Sequence, residues 1–206
     1  QLSLLIQNPA TNVDEFVKVV LEPGTKFLHG ANRASHVNDQ ERGNLRTPPE
    51  TSFQVLHRND DLRGEWRDRV FRAIQLYPIL DATNGGHLSL RLSPTKPPSP
   101  TLEHEWDNSL VEFVSKAIPI DNASDGVKAY VGLLTELIAG DPSVLRVDEP
   151  EAFLHPPLAM ELGREIASLA TRNEKRVFAA THSPFFVMGC IQAGVPVEIV
   201  RLAYRK

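Results

Sequence analysis

Two patterns of apolar residues alternate over residues 119–206. After Ser124 they recur at helical spacing, whereas short apolar runs are typical of buried strands. In chain order we predict a helix from 125 that ends before Gly140, a strand at 143–147, a helix at 156–170, a strand at 176–180, a helix at 184–193 and a strand at 197–202. This alternation favours an α/β fold in which right-handed crossovers place helices over a parallel sheet.

Residues 1–118 have a looser pattern of mixed strands and helices. It predicts strands at 16–21, 26–28, 52–56 and 87–92, a helix at 63–76, a strand or short helix at 112–118, and loops at 30–50 and 93–100. We therefore expect two parts, a smaller mixed α+β lobe at 1–117 and a core at 118–206. The charged face of the helix at 63–72 is predicted to be solvated.

Composition narrows the function classes only slightly. The 206 residues carry a net charge of -4, which does not favour strong sequence-independent DNA binding, although DNA contact stays open. A single cysteine, Cys190, excludes an internal disulfide and fits a reducing cytoplasm, where we expect the protein. No apolar run is long enough for a membrane helix, so no membrane contact is expected.

Polar residues follow the strands predicted at 143–147 and 176–180. Asp148 and Glu149 end the first apolar run, and Thr181, His182 and Ser183 end the second. Open parallel sheets bind ligands at the carboxyl ends of their strands. Asp148 is a candidate ligand of Mg²⁺, Glu149 can accept a proton from an attacking water, and His182 can donate a hydrogen bond to a phosphate oxygen. The alternative without a catalytic role is an acid pair in a surface turn and a histidine that caps a helix.

The start of the helix after Ser124 is a second candidate site. The Ser124 hydroxyl, the backbone N–H groups of Asp125 and Gly126 and the missing side chain at Gly126 suit an anion, although plain helix capping explains the same residues. Ser183 either caps its helix or contacts nucleotide. Glu151 and His155 either orient the acid pair, contact a partner or serve the structure.

Together these motifs resemble the ATP-binding-cassette-type ATPases of the AAA/OLD-like group, which is related to chromosome-maintenance and recombination ATPase heads. The stretch ending in Asp148 and Glu149 is similar to a Walker B strand, and the stretch around His182 is similar to a switch-histidine motif. Residues 124–126 resemble the signature motif, which in that family completes the site of a neighbouring subunit. The resemblance is strong over about 118–204 and weak over 1–117.

Three features depart from that family. The phosphate loop G-x-x-x-x-G-K-[ST] is absent, so we expect it before residue 1, in a longer ATPase. Arg146 replaces an apolar residue of the Walker B strand, and we expect it to face an acid or an edge. The nuclease-type Toprim domain that often follows in OLD-like proteins is also missing.

The resemblance implies a P-loop ATPase head that forms a homodimer or higher oligomer and sandwiches ATP and Mg²⁺ between two subunits. Asp148, Glu149, His182 and Ser183 would serve one subunit, and Ser124, Asp125 and Gly126 would reach the nucleotide of the other. Hydrolysis would drive an attached effector domain or subunit, for example in DNA repair or phage defence. Two alternatives stay open: a truncated dimerisation or regulatory module without hydrolysis, and a metal-dependent nuclease that uses Asp148, Glu149 and Glu151.

Overall fold

The structure, a computed structural model, describes residues 13, 22, 24–29, 34–104 and 107–203, so the strand predicted at 16–21 and the first residues of the loop predicted at 30–50 lie outside it. Its helices and strands are β1 (Thr25–Leu28), β2 (Gln40–Glu41), α1 (Ser52–Arg58), α2 (Asp60–Ile74), β3 (Tyr77–Asp81), β4 (His87–Ser93), α3 (Asn108–Ser115), β5 (Ile118–Pro119), α4 (Asp125–Ala139), β6 (Val144–Asp148), α5 (Pro156–Arg172), β7 (Arg176–Ala180) and α6 (Pro184–Gln192).

A parallel sheet carries the candidate site. Its strand order is β1-β6-β7, and the register pairs Leu28 with Val147 and Asp148 with Ala180. Leu145 and Val147 face the core, whereas Arg146 and Asp148 alternate to an exposed face. The predicted α/β class, a parallel sheet flanked by helices, is confirmed.

A second, antiparallel sheet lies in the first half of the chain. β4 pairs with β3 along one side and with β2 and β5 along the other. Leu88, Leu90 and Leu92 alternate inward from β4 and are buried, as the period-two pattern predicted. Both sheets contribute to one apolar core, and the division at residue 117 stays a prediction.

Helix α4 runs through the middle of this core. Ser124 caps its beginning, where the hydroxyl accepts a hydrogen bond from the Val127 N–H, and Gly140 follows its end, as predicted. Every residue from 129 to 139 is buried, because α4 packs against α1, α2, α5 and the 3₁₀ turn Ala34–Val37. A helix buried on all sides has no place for an unpaired charge.

Glu136 is the charged residue on this buried helix. Its carboxylate lies 2.7 Å from Lys26 Nζ of β1, 3.4 Å from His36 Nδ1, and 3.0 Å from Ser52 Oγ, which donates to it. Burial alone would raise the pKa of Glu136, but the contacts from His36 and Lys26 outweigh it and lower the pKa to about 2. One carboxylate therefore ties three separate segments to α4.

Helices α5 and α6 approach each other through glycines. A Cβ atom on Gly189 would lie 1.9 Å from the carbonyl oxygen of Met160, and one on Gly163 would lie 2.2 Å from that of Phe186. Only glycine permits backbones this close. The contact fixes α6, which begins directly after His182 and Ser183.

Two strand predictions are wrong. Residues 52–56 lie in helix α1, because Thr51 caps its N-terminus by accepting from Gln54 N–H, and Phe53, Leu56 and His57 are buried at helical spacing. Residues 197–202 form no strand, because within the described residues no neighbouring strand pairs with them and their large apolar side chains are exposed.

Sequence reasoning overlooked strand β3 and misjudged the charges on α2. Pro78 argues against a strand, yet β3 lies at an edge of its sheet, where proline is tolerated.

Arg63 is fully buried and Arg67 nearly so, which corrects the prediction of a solvated face at 63–72. Both guanidinium groups form ion pairs with the buried carboxylate of Glu103, which satisfies their charge.

In the described part of the chain, no helix is both long and apolar enough to cross a bilayer.

Replacing Glu136 with Gln should lower the free energy of unfolding by about 3 kcal/mol at pH 7, since the carboxylate loses the interactions that lower its pKa from 4.5 to about 2. A lowered pKa stabilises the fold above about pH 4.5, and this contribution is lost as the pH falls towards 2. Urea unfolding at several pH values measures both effects. The matched control is Glu112→Gln, an exposed carboxylate paired with Lys116, which should leave stability nearly unchanged. Equal stability of Glu136→Gln and the parent would contradict the assignment.

Replacing Gly189 with Ala should destabilise the protein by roughly 1–3 kcal/mol, because the methyl group forces α5 and α6 apart. Gly64 is the matched control, since it also lies inside a helix, but a Cβ atom there would point into open space among the described residues. Gly64→Ala should raise stability by up to about 1 kcal/mol through helix propensity. Thermal unfolding of both variants separates the two, and a neutral Gly189→Ala would refute the close contact.

Candidate functional site

Two loops leave the parallel sheet side by side. Asp148 ends β6 and pairs in register with Ala180, which ends β7. The Glu149 N–H then donates to the Ala180 carbonyl oxygen at 2.8 Å, which joins the loop at 149–155 to the loop at 181–183. The structure therefore brings the acid pair and His182 to one edge of the sheet, where the sequence predicted them.

Glu149 and His182 form an exposed contact between a carboxylate and an imidazole. Glu149 Oε1 lies 3.2 Å from His182 Nδ1, and the two side chains are 53% and 79% exposed. Glu149 has a φ of 46°, in the left-handed region that side-chain-bearing residues seldom adopt. Such backbone conformations are concentrated at functional sites, where the surrounding structure holds them in place.

Glu151 lies beneath this pair and is only 8% exposed. Its Oε1 accepts a hydrogen bond from Thr181 Oγ1 at 2.7 Å, and Thr181 Oγ1 accepts one from the Ser183 N–H at 3.0 Å. His182 Nδ1 lies 3.9 Å from the same Glu151 oxygen. The sequence left open whether Glu151 orients the site, and it gave Thr181 no separate role, although a hydroxyl at a strand end next to His182 was the available signal.

The start of α4 contacts the same loop from the other side. A Cβ on Gly126 would lie 2.6 Å from the Phe153 carbonyl oxygen, so Gly126 has no room for a side chain. Phe153 has a φ of 69° and is 68% exposed. Among the described residues, Ser124 and Asp125 contact the first turn of α4, and Gly126 contacts Phe153. None of these contacts involves Asp148, Glu149 or His182.

Two other predicted residues act as helix caps. Ser183 Oγ accepts from the Phe186 N–H at 3.3 Å at the start of α6. His155 Nδ1 accepts from the Leu158 N–H at 3.4 Å at the start of α5. These contacts show the capping role of both residues, and a nucleotide contact of Ser183 stays a prediction.

Arg146 faces away from the core. Its guanidinium carbon lies 5.0 Å from the centre of the Phe27 ring, and the register places Phe27, Arg146 and Phe178 in one row across the exposed face of the sheet. Phe27 is 46% and Phe178 62% exposed. The sequence predicted that Arg146 faces an acid or an edge. It lies instead on the central strand of the described sheet, against an aromatic ring, and a cation over a ring face is a favourable contact.

The exposed carboxyl ends of β6 and β7 suit a charged ligand that supplies some of the metal-binding atoms itself. No three His, Cys, Asp or Glu side chains of the described residues converge on a metal position. Mg²⁺ commonly takes one or two carboxylates and fills its remaining positions with phosphate oxygens and water, so Asp148 alone on the protein side fits it. A surface cleft of about 330 Å³ lies between α2, α5 and the end of α6 and is lined by none of Asp148, Glu149 and His182.

Solved structures resemble the chain at low sequence identity, among them the following one. A crystal structure of an SmcHead bound to the C-winged helix domain of ScpA is similar to the chain at 12% sequence identity and a TM-score of 0.46. The similarity covers 79% of this chain and 49% of that chain, so the protein spans about half the length of that relative. No curated protein matches the sequence.

A family model matches residues 2–188, nearly the whole chain. Its description is "AAA domain, putative AbiEii toxin, Type IV TA system". The chain therefore belongs to this family of AAA domains, which are ATPase-type nucleotide-binding domains.

Proposed function

We propose that the chain forms part of an ATP-hydrolysing head in which Glu149 is the general base and His182 its partner. The observation that carries the proposal is the 3.2 Å contact between these two side chains at the shared end of β6 and β7. Asp148 precedes Glu149 on the exposed side of the same strand end. An acid, a base and an imidazole thus meet where α/β sheets bind ligands.

The proposed reaction is in-line hydrolysis of the γ-phosphate. Glu149 accepts a proton from water, the water oxygen forms a bond to the γ-phosphorus, and the β–γ bridging bond breaks, with its electron pair staying on ADP. His182 donates a hydrogen bond to a γ-phosphate oxygen. Asp148 would hold Mg²⁺, whose charge, when the ion is bound, offsets the negative charge of the phosphates.

The phosphate loop is supplied in this proposal by a segment outside these 206 residues, since the sequence lacks the motif. Within the described residues, β7 has a strand on one side only, and four of its five residues are exposed. Parallel strands are normally covered on both faces and paired on both sides, so this open edge fits a missing neighbour.

Ser124, Asp125 and Gly126 are proposed to reach the nucleotide of a second subunit. The N-terminus of α4 carries the positive end of the helix dipole, and Asp125 beside it is exposed. Gly126 packs against Phe153. An anion bound at this end of α4 would therefore act on the loop that begins at Glu149. Engagement of two heads would then drive an effector, for which the family description suggests a toxin–antitoxin role.

The non-hydrolysing dimerisation or regulatory module is the second candidate, and the absence of the phosphate-loop motif favours it. A metal-dependent nuclease has less support. Glu151, its third carboxylate, is buried and bound by Thr181, and the described residues contain no three-ligand metal group.

Replacing Glu149 with Gln in the protein that contains its phosphate loop should lower kcat for ATP at least about 100-fold and leave ATP affinity within twofold, because the amide cannot accept the proton. Steady-state hydrolysis and equilibrium nucleotide binding measure the two effects. Glu198→Gln, an exposed carboxylate outside the site, is the control and should behave as the parent. Unchanged turnover in Glu149→Gln would refute Glu149 as the base.

Titrating the chain of 206 residues with Mg²⁺ and a fluorescent ATP analogue tests whether nucleotide binding needs the phosphate loop and whether it uses Asp148. We expect weak or undetectable binding by the folded chain, since most contacts to the phosphates come from the missing loop. Strong binding that Asp148→Ala abolishes would mean that this chain binds nucleotide without the loop. Strong binding that Asp148→Ala does not affect would place the nucleotide elsewhere and count against the proposed site.

A further inference from the structure

Glu151 has no role in the proposed reaction, yet it is the most costly residue of the site to bury. Its side chain is 8% exposed, one oxygen accepts the Thr181 hydroxyl, and Oε2 is buried without a hydrogen-bond partner among the described residues. Burying a carboxylate oxygen without a partner is unfavourable, because buried polar atoms usually have partners. The contacts of the other oxygen, Oε1, are therefore the described ones that offset this cost.

Thr181 fixes Glu151 to the histidine loop. The Thr181 hydroxyl has one proton, which it donates to Glu151, and it accepts the Ser183 N–H with its oxygen. The residue between these two contacts is His182. The two hydrogen bonds flank His182 on both sides, so Glu151 and Thr181 hold this turn beside Glu149.

The His182 ring has two carboxylates within reach. Nδ1 lies 3.2 Å from Glu149 Oε1 and 3.9 Å from Glu151 Oε1. The Glu149 side chain is half exposed, whereas that of Glu151 is buried. The imidazole therefore lies against one solvated and one buried carboxylate of the same loop.

We infer that Glu151 is a positioning residue for His182. It holds the turn through Thr181, its Oε1 lies beside the ring Nδ1, and both contacts keep the imidazole next to Glu149. This inference rests on the proposed function. Glu151 contacts neither substrate nor water in it, and it acts only through His182 and Thr181.

Turnover variants test the inference in the protein with its phosphate loop. Glu151→Gln and Thr181→Val should each lower kcat roughly tenfold or more with KM nearly unchanged, and Thr181→Ser, which retains the hydroxyl, should restore it. In a His182→Ala background, Glu151→Gln should cause no further loss, because the residue it positions is gone. An undiminished tenfold loss in that background would show a merely structural role and overturn the inference.

A second measurement does not depend on hydrolysis. In the chain of 206 residues, the ring C–H NMR signals of His182, assigned by their loss in His182→Gln, should move towards those of an unstructured histidine in Glu151→Ala and Thr181→Val. They should stay in place in Thr181→Ser and in Glu198→Gln, while urea unfolding checks that each variant is folded. Unmoved signals in Glu151→Ala would overturn the inference. A parent protein without ATPase activity but with these shifts would refute the proposed function and leave the Glu151–His182 contact standing.

Discussion

The carboxylate of Glu136 is the interaction on which the arrangement of the site depends. It lies on a helix that is buried from 129 to 139, and it holds β1, the turn at His36 and helix α1 against that helix. Because β1 is the neighbour of β6, the same contact helps to fix the strand that ends in Asp148. The other end of α4 carries Gly126, which packs on Phe153. One helix, anchored near its C-terminus, thus supports the site loop at its N-terminus.

The loop from 149 to 155 is held at both ends and strained between them. Glu149 is pinned by its N–H bond to Ala180, and His155 caps helix α5. Between these anchors, Glu149 and Phe153 both have positive φ angles, a conformation that costs of order 1–3 kcal/mol for each residue. Relief of this strain would require the loop to detach from β7 or from α4. The geometry of Glu149 is therefore a property of its surroundings more than of its own backbone preference.

The sequence predicted the core elements well and the details of the site only in part. The helices at α4, α5 and α6 and the strands β6 and β7 follow from apolar spacing, capping residues and prolines, which are local signals. The strand predictions at 52–56 and 197–202 were wrong because a short apolar run carries no information about whether a neighbouring strand is present. The burial of Glu151 and its bond to Thr181 depend on residues that are far apart in sequence and become neighbours only through the pairing of β6 with β7.

Two glutamates of one loop show how environment separates otherwise identical groups. Glu149 and Glu151 are two positions apart in one turn, yet the first is half exposed and the second buried, although both approach the same nitrogen of His182. Carboxylates that contact one imidazole but differ in solvation are suited to different tasks, since water reaches the exposed group and the buried one is held by protein contacts. The chemistry of the edge therefore follows from the turn that separates these two side chains as much as from the acid pair that marks it in the sequence.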